Sequence, residues 1–339
     1  MASQRVLRWT GNGRLALDRA PRPVAGERDV VLAVVACGIC GSDLHFWKDG
    51  GLPPGAVMGH EFVGHAVAVG GGVAGIAPGD RLVVNPMVNG IGLGAHDGAF
   101  ADYVRVPDAV LGSNVHAVPD DLDDRQAALV EPLAVGLRAI GATPVDEGTR
   151  AVVLGAGPIG LCVVAALRHR GVSRIVVSDP SPLRRERAMA LGADAVHDPA
   201  DTPLLPLVLE RFGPPGRQSH KRTHGNADIA FDCAGIQATL DGGLAVLRHG
   251  GALVLVSAYP GHMPFDIRSV MLGELRVMGT IGYEQEFEQA LQLLTRRAID
   301  LSPLVSHVVD LDDAPAAFEV QACATSSVKV LVRPGQRTI

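Results

Sequence analysis

The hydrophobic and polar positions follow one pattern in the first third of the chain. Short apolar runs, among them residues 30–35, 62–69 and 81–84, are separated by Gly, Pro and Asp. Runs of this length bounded by turn residues are typical of β-strands. We therefore predict an all-β region that extends to about Pro119.

A different pattern follows Pro119. Short apolar runs typical of buried strands alternate with longer stretches that have helical character. The predicted strands are residues 151–154, 175–178, 228–232 and 252–256, and the predicted helices are residues 123–142, 159–169 and 182–191. Strands that alternate with helices imply a parallel sheet covered on both faces, so the predicted fold class is α/β. Further predicted helices at 287–298 and 314–322 precede a predicted strand at 328–332.

Composition narrows the class of protein. The chain has 339 residues, 47% of them hydrophobic, which suffices for about two domains with large cores. The net charge of −6 argues against a nucleic-acid partner. No run of ~18 apolar residues predicts a membrane span, and the N-terminus does not resemble a signal peptide. The five cysteines are scattered, so we expect reduced thiols and a cytoplasmic location.

A glycine-rich motif predicts a dinucleotide site. Gly155-x-Gly157-x-x-Gly160 follows a predicted strand and opens a predicted helix, with Pro158 and Ile159 completing the turn. Gly155 allows the tight turn and Gly157 lets the backbone approach a pyrophosphate at the helix N-terminus. Gly160 lets the helix pack closely on the sheet. A lone match to this pattern is weak evidence, but this context makes it specific.

An acidic residue lies where such a site contacts the adenosine ribose. Asp179 ends the second strand of the pattern, about 20 residues after the glycines. A carboxylate there hydrogen-bonds the ribose 2′-OH and repels a 2′-phosphate, which predicts NAD rather than NADP. Alternatively, Asp179 only caps the helix that begins at Pro180 or Pro182. Arg184 leaves NADP open, because its guanidinium could accept a phosphate.

Four residues have side chains suited to zinc, namely Cys40, His60, Glu61 and Glu131. A catalytic zinc keeps three protein ligands and an open position for water or substrate. Three of the four residues also have a plain structural interpretation. Cys40 could be a small buried hydrophobic residue, His60 a hydrogen-bonded loop histidine, and Glu131 a charged residue on a helix. Cys37 with Cys40 could be half of a zinc finger or a redox pair, but no second pair and no thioredoxin-like setting accompanies them.

Five short motifs together carry a resemblance to a known family. They are residues 38–43 (GICGSD), 59–64 (GHEFVG), 79–83 (GDRLV), 131–135 (EPLAV) and 155–160 (GAGPIG). The chain resembles the zinc-dependent medium-chain dehydrogenases, which include alcohol, sorbitol, butanediol and threonine dehydrogenases. The resemblance implies a mostly β, GroES-like catalytic domain over residues 1–133 and 283–339 and a doubly wound Rossmann domain over 134–282. It also implies a homo-oligomer, either a dimer or a tetramer.

The resemblance implies roles for the zinc-compatible residues. Cys40 rather than Cys37 is the first ligand and His60 the second. Glu61 and Glu131 share the remaining protein role, one binding directly and the other acting through water or at another stage of turnover. Many relatives hold a structural zinc with four cysteines after Asn85, whereas residues 85–98 here contain none. We therefore expect one zinc per chain.

The same resemblance gives an expected mechanism and substrate class. Ser42 takes the proton of the zinc-bound alcohol and His45 passes it to solvent, while a hydride moves to NAD. The stretch His45-Phe46-Trp47 and the presence of Glu131 resemble sorbitol-type members, which favours polyols, sugar acids or vicinal diols. The alternatives are a butanediol- or threonine-type enzyme for short substrates, a zinc-free reductase and a non-catalytic NAD-binding protein.

Overall fold

The computed structural model describes residues 2–216, 224–259 and 261–335. By its internal contacts the chain divides into two compact units. Unit 1 comprises Met1–Glu131, Phe287–Ala298 and Val305–Ile339, and unit 2 comprises Pro132–Glu286 and Ile299–Leu304. The domain ranges predicted from the sequence stay a prediction, because compactness alone does not show which segments fold together.

The helices and strands have the following bounds. The strands are β1 (Ser3–Gly11), β2 (Arg14–Pro21), β3 (Val30–Gly38), β4 (Glu61–Val69), β5 (Arg81–Val84), β6 (Tyr103–Val106), β7 (Val115–Ala117), β8 (Arg150–Leu154), β9 (Arg174–Ser178), β10 (Ala195–His197), β11 (Ala227–Asp232), β12 (Leu247–Leu255), β13 (Arg276–Gly279), β14 (Val305–Asp310) and β15 (Lys329–Arg333). The α-helices are α1 (Gly41–Asp49), α2 (Pro86–Asn89), α3 (Asp124–Ala127), α4 (Val130–Gly141), α5 (Pro158–His169), α6 (Pro182–Ala190), α7 (Leu204–Phe212), α8 (Gln237–Val246), α9 (Ile267–Gly273), α10 (Glu286–Thr295) and α11 (Ala314–Ala322). None of these helices is long and apolar enough to cross a membrane.

Unit 1 is built on a mixed sheet of seven strands. Its strands lie in the order β14-β15-β3-β4-β5-β7, and β6 pairs with β3. A separate hairpin pairs β1 with β2. The core beneath the sheet contains Phe100 and Phe318, whose rings meet edge to face at 5.5 Å. The strands predicted at 30–35, 62–69 and 81–84 are confirmed.

The prediction of an all-β region before Pro119 was wrong at α1 and α2. Asp43 is the reason that α1 begins where it does. Its Oδ2 accepts the backbone N–H of Cys40 at 2.9 Å, which caps the first turn of the helix. Asn85 does the same for α2, because its side chain accepts the N–H of Met87 at 3.0 Å. α1 has only nine residues and α2 only four, which is too few for an apolar period to reveal either helix.

Unit 2 contains the predicted parallel sheet. Its six strands lie in the order β10-β9-β8-β11-β12-β13, and every neighbouring pair is parallel. The strand order reverses between β8 and β11, which is the point at which doubly wound sheets bind ligands. The single helix predicted at 123–142 is instead divided into α3 and α4. Pro132 explains the division, because proline fits the first turn of a helix but breaks its interior.

Candidate active site

Three of the predicted zinc ligands meet at the ends of two paired strands. Cys40 follows β3, whereas His60 precedes β4 and Glu61 begins it. The antiparallel register sets Gly38 opposite Glu61. The ligand atoms of Cys40, His60 and Glu61 all lie within 4.8 Å of one another. His60 and Glu61 are buried, whereas Cys40 is half-buried, so the cluster retains some access to solvent at Cys40.

Glycine is required at two positions around this cluster. A Cβ at Gly38 would overlap Glu61 Oε2, so only glycine leaves room for the carboxylate. Gly59 has a φ of +96°, which turns the chain immediately before His60. A Cβ there would also lie 2.8 Å from Cys37 Sγ. Cys37 itself is fully buried, in agreement with its place as a core neighbour rather than a ligand.

A buried lysine completes the surroundings of Glu61. Lys329 Nζ lies 2.8 and 2.6 Å from the two carboxylate oxygens of Glu61 and donates to the carbonyl of Ile39 at 3.0 Å. The two side chains are 1% and 0% exposed. Burial alone would lower the pKa of Lys329, but the charge of Glu61 raises it above its ordinary value, so the ammonium stays charged. Sequence reasoning missed Lys329, although a lone lysine in the apolar run 328–332 was a usable signal.

Asp43 lies behind His60. Its Oδ1 is 3.6 Å from His60 Nδ1, and neither atom has a hydrogen-bond partner among the residues that the structure describes. Burial raises the pKa of Asp43 to about 6, although the charge of His60 opposes this. Burial would lower the pKa of His60, but Asp43 and Cys40 raise it well above its usual value. A carboxylate behind a histidine is the usual arrangement for orienting a metal ligand.

Glu131 lies beside the cluster rather than within it. It is 8% exposed and is the second residue of α4. Its charge contributes to the raised pKa of both His60 and Lys329, so it faces the same group of side chains. The three residues whose ligand atoms converge do not include Glu131. The structure thus brings together three of the four predicted ligands and leaves the fourth nearby.

The two predicted proton-transfer residues lie on α1. Ser42 is half-buried in the first turn, two residues after Cys40. His45 is one turn further on and exposed, and its Nδ1 pairs with Asp49 Oδ2 at 2.9 Å. Residues three apart share one face of a helix, so Ser42 and His45 point toward the same side.

The residues present fit a zinc ion. A thiolate sulfur, an imidazole nitrogen and a carboxylate oxygen are the ligand types that zinc accepts, and three protein ligands leave a fourth position open. The orphaned pair formed by His60 Nδ1 and Asp43 Oδ1 is the arrangement expected when the other ring nitrogen faces a metal. The sequence also places His220 and His224 four residues apart, a spacing that two metal ligands could share, but His220 lies outside the described residues.

The glycine-rich turn has the backbone that a dinucleotide needs. Gly155 has a φ of +93°, and a Cβ at Gly160 would overlap the carbonyl oxygen of Gly155. Gly157 is the N-cap of α5, with Pro158 and Ile159 in the first turn. The free N–H groups at this helix end can receive a phosphate.

Asp179 connects two turns at the same edge of the sheet. Its Oδ2 accepts the N–H of Ala156 at 2.7 Å, and its Oδ1 accepts the N–H of Ser181 at 2.8 Å. The N-cap of α6 is Ser181, which accepts the N–H of Arg184 at 3.4 Å. Arg184 Nη1 lies 3.8 Å from the position of a Cβ at Gly157, so this guanidinium borders the glycine-rich turn.

Comparison with known proteins identifies the family. The family model for zinc-binding dehydrogenases matches residues 158–296, and that for the alcohol dehydrogenase GroES-like domain matches residues 26–120. The (R,R)-butanediol dehydrogenase of Bacillus subtilis (strain 168) is 31% identical over 97% of this chain and 99% of its own length. The chain belongs to the zinc-dependent medium-chain alcohol and polyol dehydrogenases. A second member of the family, the sorbitol dehydrogenase of Gallus gallus, is 30% identical over 91% of this chain and 90% of its own.

Solved structures of medium-chain dehydrogenases agree with this membership. The crystal structure of 2R,3R-butanediol dehydrogenase from Bacillus subtilis matches with a TM-score of 0.87 at 31% identity, over 98% of this chain and 100% of its own. A zinc-binding dehydrogenase structure from Sinorhizobium meliloti 1021, bound to NADP, matches with a TM-score of 0.86 at 29% identity, over 98% of this chain and 100% of its own. The predicted family, fold class and enzyme class are confirmed. The chain is a dehydrogenase that uses zinc and a nicotinamide cofactor.

Proposed function

We propose that this medium-chain dehydrogenase oxidises secondary alcohols that carry a neighbouring hydroxyl, such as polyols, sugar acids or vicinal diols, with NAD as hydride acceptor. The observation that carries the proposal is the convergence of Cys40, His60 and Glu61 within 4.8 Å in the GroES-like unit. Relatives named as butanediol and sorbitol dehydrogenases support the substrate class. A zinc-free reductase would have no use for these three side chains.

The proposal assigns the zinc to Cys40, His60 and Glu61, with Glu131 as the fourth, neighbouring carboxylate. The ligand atoms of the first three residues already converge, which favours Glu61 over Glu131 as the third direct ligand. Glu131 then acts on water or on the substrate hydroxyl beside the metal. Lys329 neutralises one of the two negative charges of Glu61 and Glu131, which limits the repulsion between these carboxylates when no metal is bound.

The proton of the substrate hydroxyl leaves the site by way of two side chains on α1. Zinc, when bound, acts as a Lewis acid that makes the substrate hydroxyl more acidic. Ser42 Oγ accepts the hydroxyl proton, and His45, one turn away on the same helix face, passes it to solvent. The contact between His45 Nδ1 and Asp49 Oδ2 at 2.9 Å orients the exposed imidazole for this task. The glycine-rich turn of Gly155, Gly157 and Gly160 would hold the dinucleotide, whose nicotinamide would supply the hydride acceptor for the carbinol carbon.

We infer a preference for NAD over NADP from Asp179. The buried carboxylate lies at the end of β9, where the adenosine ribose of a bound dinucleotide is expected. A 2′-phosphate would be repelled by this charge. Arg184 beside the glycine-rich turn works against the preference, and the Sinorhizobium meliloti relative was solved with NADP. Asp179→Ala should therefore raise the relative activity with NADP, and an unchanged cofactor ratio would place the 2′-OH contact elsewhere.

We also propose that each chain holds a single zinc. Residues 85–98 contain no cysteine, so the structural zinc of many relatives has no thiolate ligands here. Zinc measured by mass spectrometry in the purified protein should come to about one ion per chain. Two ions per chain would contradict the assignment.

The first experiment follows NADH formation from NAD with a panel of polyols, sugar acids, vicinal diols and threonine, before and after zinc chelation. Activity that is confined to one substrate group and lost on chelation supports the proposal and names the group. Chelator-resistant activity would overturn the role of zinc. Activity on none of the panel would overturn the substrate class.

A ligand variant completes the test. Cys40→Ala should remove zinc and abolish turnover while NAD binding, followed by calorimetry, stays nearly intact. Cys323→Ala is the matched control. Cys323 is an exposed thiol after α11, so its replacement should leave zinc content and turnover unchanged. Retained turnover in Cys40→Ala would refute the ligand assignment.

A second candidate function rests on a specific observation. Two relatives that cover almost the whole chain are named (R,R)-butanediol dehydrogenases, at 31% and 30% identity. A short vicinal diol is therefore the first substrate to try within the panel. Comparable kcat/KM for butanediol and for a six-carbon polyol would leave the broader proposal standing, whereas a preference of 100-fold or more for butanediol would favour this narrower one.

A further inference from the structure

A fully buried aspartate that the proposed mechanism does not use lies at the carboxyl end of β11. Asp232 Oδ1 accepts the N–H groups of Ala234 and Gly235, both at 3.0 Å. Its other oxygen, Oδ2, accepts the phenolic O–H of Tyr259 at 2.7 Å. All of these groups belong to unit 2; Asp232 is the last residue of β11, and Tyr259 follows the end of the neighbouring parallel strand β12.

Tyr259 ties the loop after β12 to the turn after β11. The backbone carbonyl of Asp232 accepts the N–H groups of Val256 at 3.0 Å and Ser257 at 3.2 Å, so the loop begins directly alongside. Gly235 has a φ of +69°, and a Cβ there would lie 2.6 Å from Ser257 Oγ. The two segments are therefore in close contact, and the Tyr259 hydroxyl adds a second attachment four residues after the end of β12.

The turn that Asp232 holds also packs on the glycine-rich turn. A Cβ at Gly155 would lie 3.1 Å from the nitrogen of Ala234 and 3.2 Å from the carbonyl carbon of Cys233. Any shift of the turn after β11 would therefore change the packing of the backbone at Gly155. A chain of contacts thus runs from Gly155 through the turn and Asp232 to Tyr259.

The sheet order tells which part of a dinucleotide would lie near Tyr259. A dinucleotide crosses the point where the strand order reverses, here between β8 and β11. Asp179, after β9, lies on the side that receives adenosine, and the pyrophosphate lies at the start of α5. The remaining half, the nicotinamide and its ribose, therefore extends over the carboxyl ends of β11 and β12.

We propose that Tyr259 is a positioning residue, which holds the loop of residues 256–259 against Asp232 and thereby shapes the subsite for the nicotinamide half of the cofactor. The inference rests on the proposed function, because it assumes that a dinucleotide binds at the glycine-rich turn. Burial and the hydrogen bond to Asp232 raise the pKa of Tyr259, so the hydroxyl remains a donor at any working pH.

The test compares a whole cofactor with its adenosine half. Binding of NADH and of ADP is measured for the wild-type protein and for Tyr259→Phe; if the wild type binds NADPH instead, the pair is NADPH and adenosine 2′,5′-bisphosphate. Loss of a hydrogen bond to a charged group predicts about ten-fold weaker binding of the whole cofactor. Binding of the adenosine fragment should stay within about two-fold, because that half contacts the other side of the sheet.

Kinetics supply a second readout. In Tyr259→Phe, KM for the cofactor should rise and kcat should fall, since the nicotinamide is less well placed for hydride transfer. KM for the alcohol should stay within about two-fold of wild type, because the variant leaves the zinc ligands untouched. Tyr103→Phe is the matched control, because Tyr103 is a half-buried tyrosine of unit 1 whose ring stacks under Arg22.

The outcomes separate this inference from the proposed function. Equal weakening of the whole cofactor and the fragment, or no change in either, would overturn the inference while wild-type activity upholds the proposed function. A wild-type protein that binds neither cofactor would overturn both. Selective weakening of the whole cofactor, with a melting temperature like that of the control, supports the positioning role.

Discussion

At the scale of single residues, the ion pair between Glu61 and Lys329 is the largest departure from what the motifs predict. Two opposite charges are fully buried at 2.6 Å, and the lysine donates its remaining hydrogen bond to the carbonyl of Ile39. Removing one member of such a pair leaves the other charge buried and unpaired, which is far more costly than the pair is worth. Lys329 therefore sets how tightly Glu61 can be held in the absence of metal.

Lys329→Met should destabilise the zinc-free protein by about 3–5 kcal/mol, because the Glu61 carboxylate loses its counter-charge. The loss should be smaller in the zinc-loaded protein, since the metal replaces the ammonium as the positive neighbour. Urea unfolding of both forms measures the difference.

Lys48→Met is the matched control, because Lys48 is exposed on α1 near the ring of Trp47. It should change stability by less than about 0.5 kcal/mol. Equal losses for the zinc-free and zinc-loaded forms of Lys329→Met would show that Glu61 does not approach the metal.

Site residues could be predicted from the sequence where they belong to a short local motif. Cys40, His60 and Glu61 lie in short motifs, and β3 and β4 bring those motifs together. Lys329 and the approach of Asp43 to His60 depend on side chains that meet only in the folded unit. Such contacts have no local spacing, so a single sequence cannot reveal them.

At the scale of elements, the segment of residues 85–98 supports the turn that carries His60. Gly98 N–H donates to the carbonyl of Val57 at 2.8 Å, and Ala99 N–H donates to that of Gly59 at 2.8 Å. A Cβ at Gly98 would overlap the carbonyl oxygens of Met58 and Gly59. The segment lacks cysteines, and its close backbone packing is what fixes it against the metal-binding turn.

Gly98→Ala should destabilise the protein by about 1–3 kcal/mol and weaken zinc binding, because the overlap can be relieved only by moving the backbone before His60. Zinc affinity, measured by competition with a chelator, should fall by about ten-fold or more.

Gly71→Ala is its control, because a Cβ there makes ordinary contact with Glu27 at 3.5 Å. If Gly98→Ala is less stable but binds zinc as tightly as the wild type, this segment does not influence the metal site.

A second element-scale feature joins three strands of the parallel sheet. Asp228 on β11 pairs with Arg150 on β8 at 2.8 Å and with Arg248 on β12. Although burial opposes it, the two arginines lower the pKa of Asp228 to about 2. Because the folded pKa lies below the unfolded value of about 3.9, the stabilisation is complete above the unfolded pKa and is lost as pH falls through the folded one.

Asp228→Asn should therefore cost about 2 kcal/mol of stability at pH 7, and the difference from wild type should shrink between about pH 5 and pH 2. Urea unfolding at a series of pH values measures this. Asp241→Asn, on the exposed face of α8, should show neither the loss nor the pH dependence. A loss in Asp228→Asn that is constant with pH would refute the electrostatic explanation.

The elements were predicted best where apolar patterning is strong. The buried strands β8, β9 and β11 and the long helix α5 agree with prediction to within one residue at each end. The short polar helix α1 and the break between α3 and α4 were not foreseen. Their causes, a side-chain cap and a proline in a first turn, act over three or four residues and leave the hydrophobic period unchanged.

At the scale of the whole molecule, one edge of the unit 2 sheet suits a second copy of the chain. β13 is the last strand in the described sheet and pairs on one side only. Apolar side chains that flank β13 in the sequence are exposed, namely Ile267 and Met271 on α9 and Ile281 after the strand, at 73%, 65% and 90%. An open strand edge with adjacent apolar surface is a template for strand pairing, so we propose that this edge forms the interface of a homo-oligomer.

On this proposal the wild-type protein is an oligomer, and replacing Met271 and Ile281 together by lysine should convert it to monomers, because charges on an apolar interface oppose its burial. Light scattering gives the mass of each form. Val24→Lys is the control, since Val24 is 81% exposed but belongs to unit 1. A double variant that keeps the wild-type mass would exclude this edge as the interface.

The position of Lys329 in the chain governs when the metal site can be completed during synthesis. Cys40, His60 and Glu61 leave the ribosome early, but the lysine that neutralises Glu61 follows 268 residues later. At about 5–20 residues per second, the nascent chain spends on the order of ten seconds or longer with an unpaired carboxylate at this site. During that interval the Glu61 carboxylate lacks its buried partner and stays hydrated by water. The site is therefore complete only when β15, which carries Lys329, has joined the sheet. A metal ion bound before that point must leave room for the lysine.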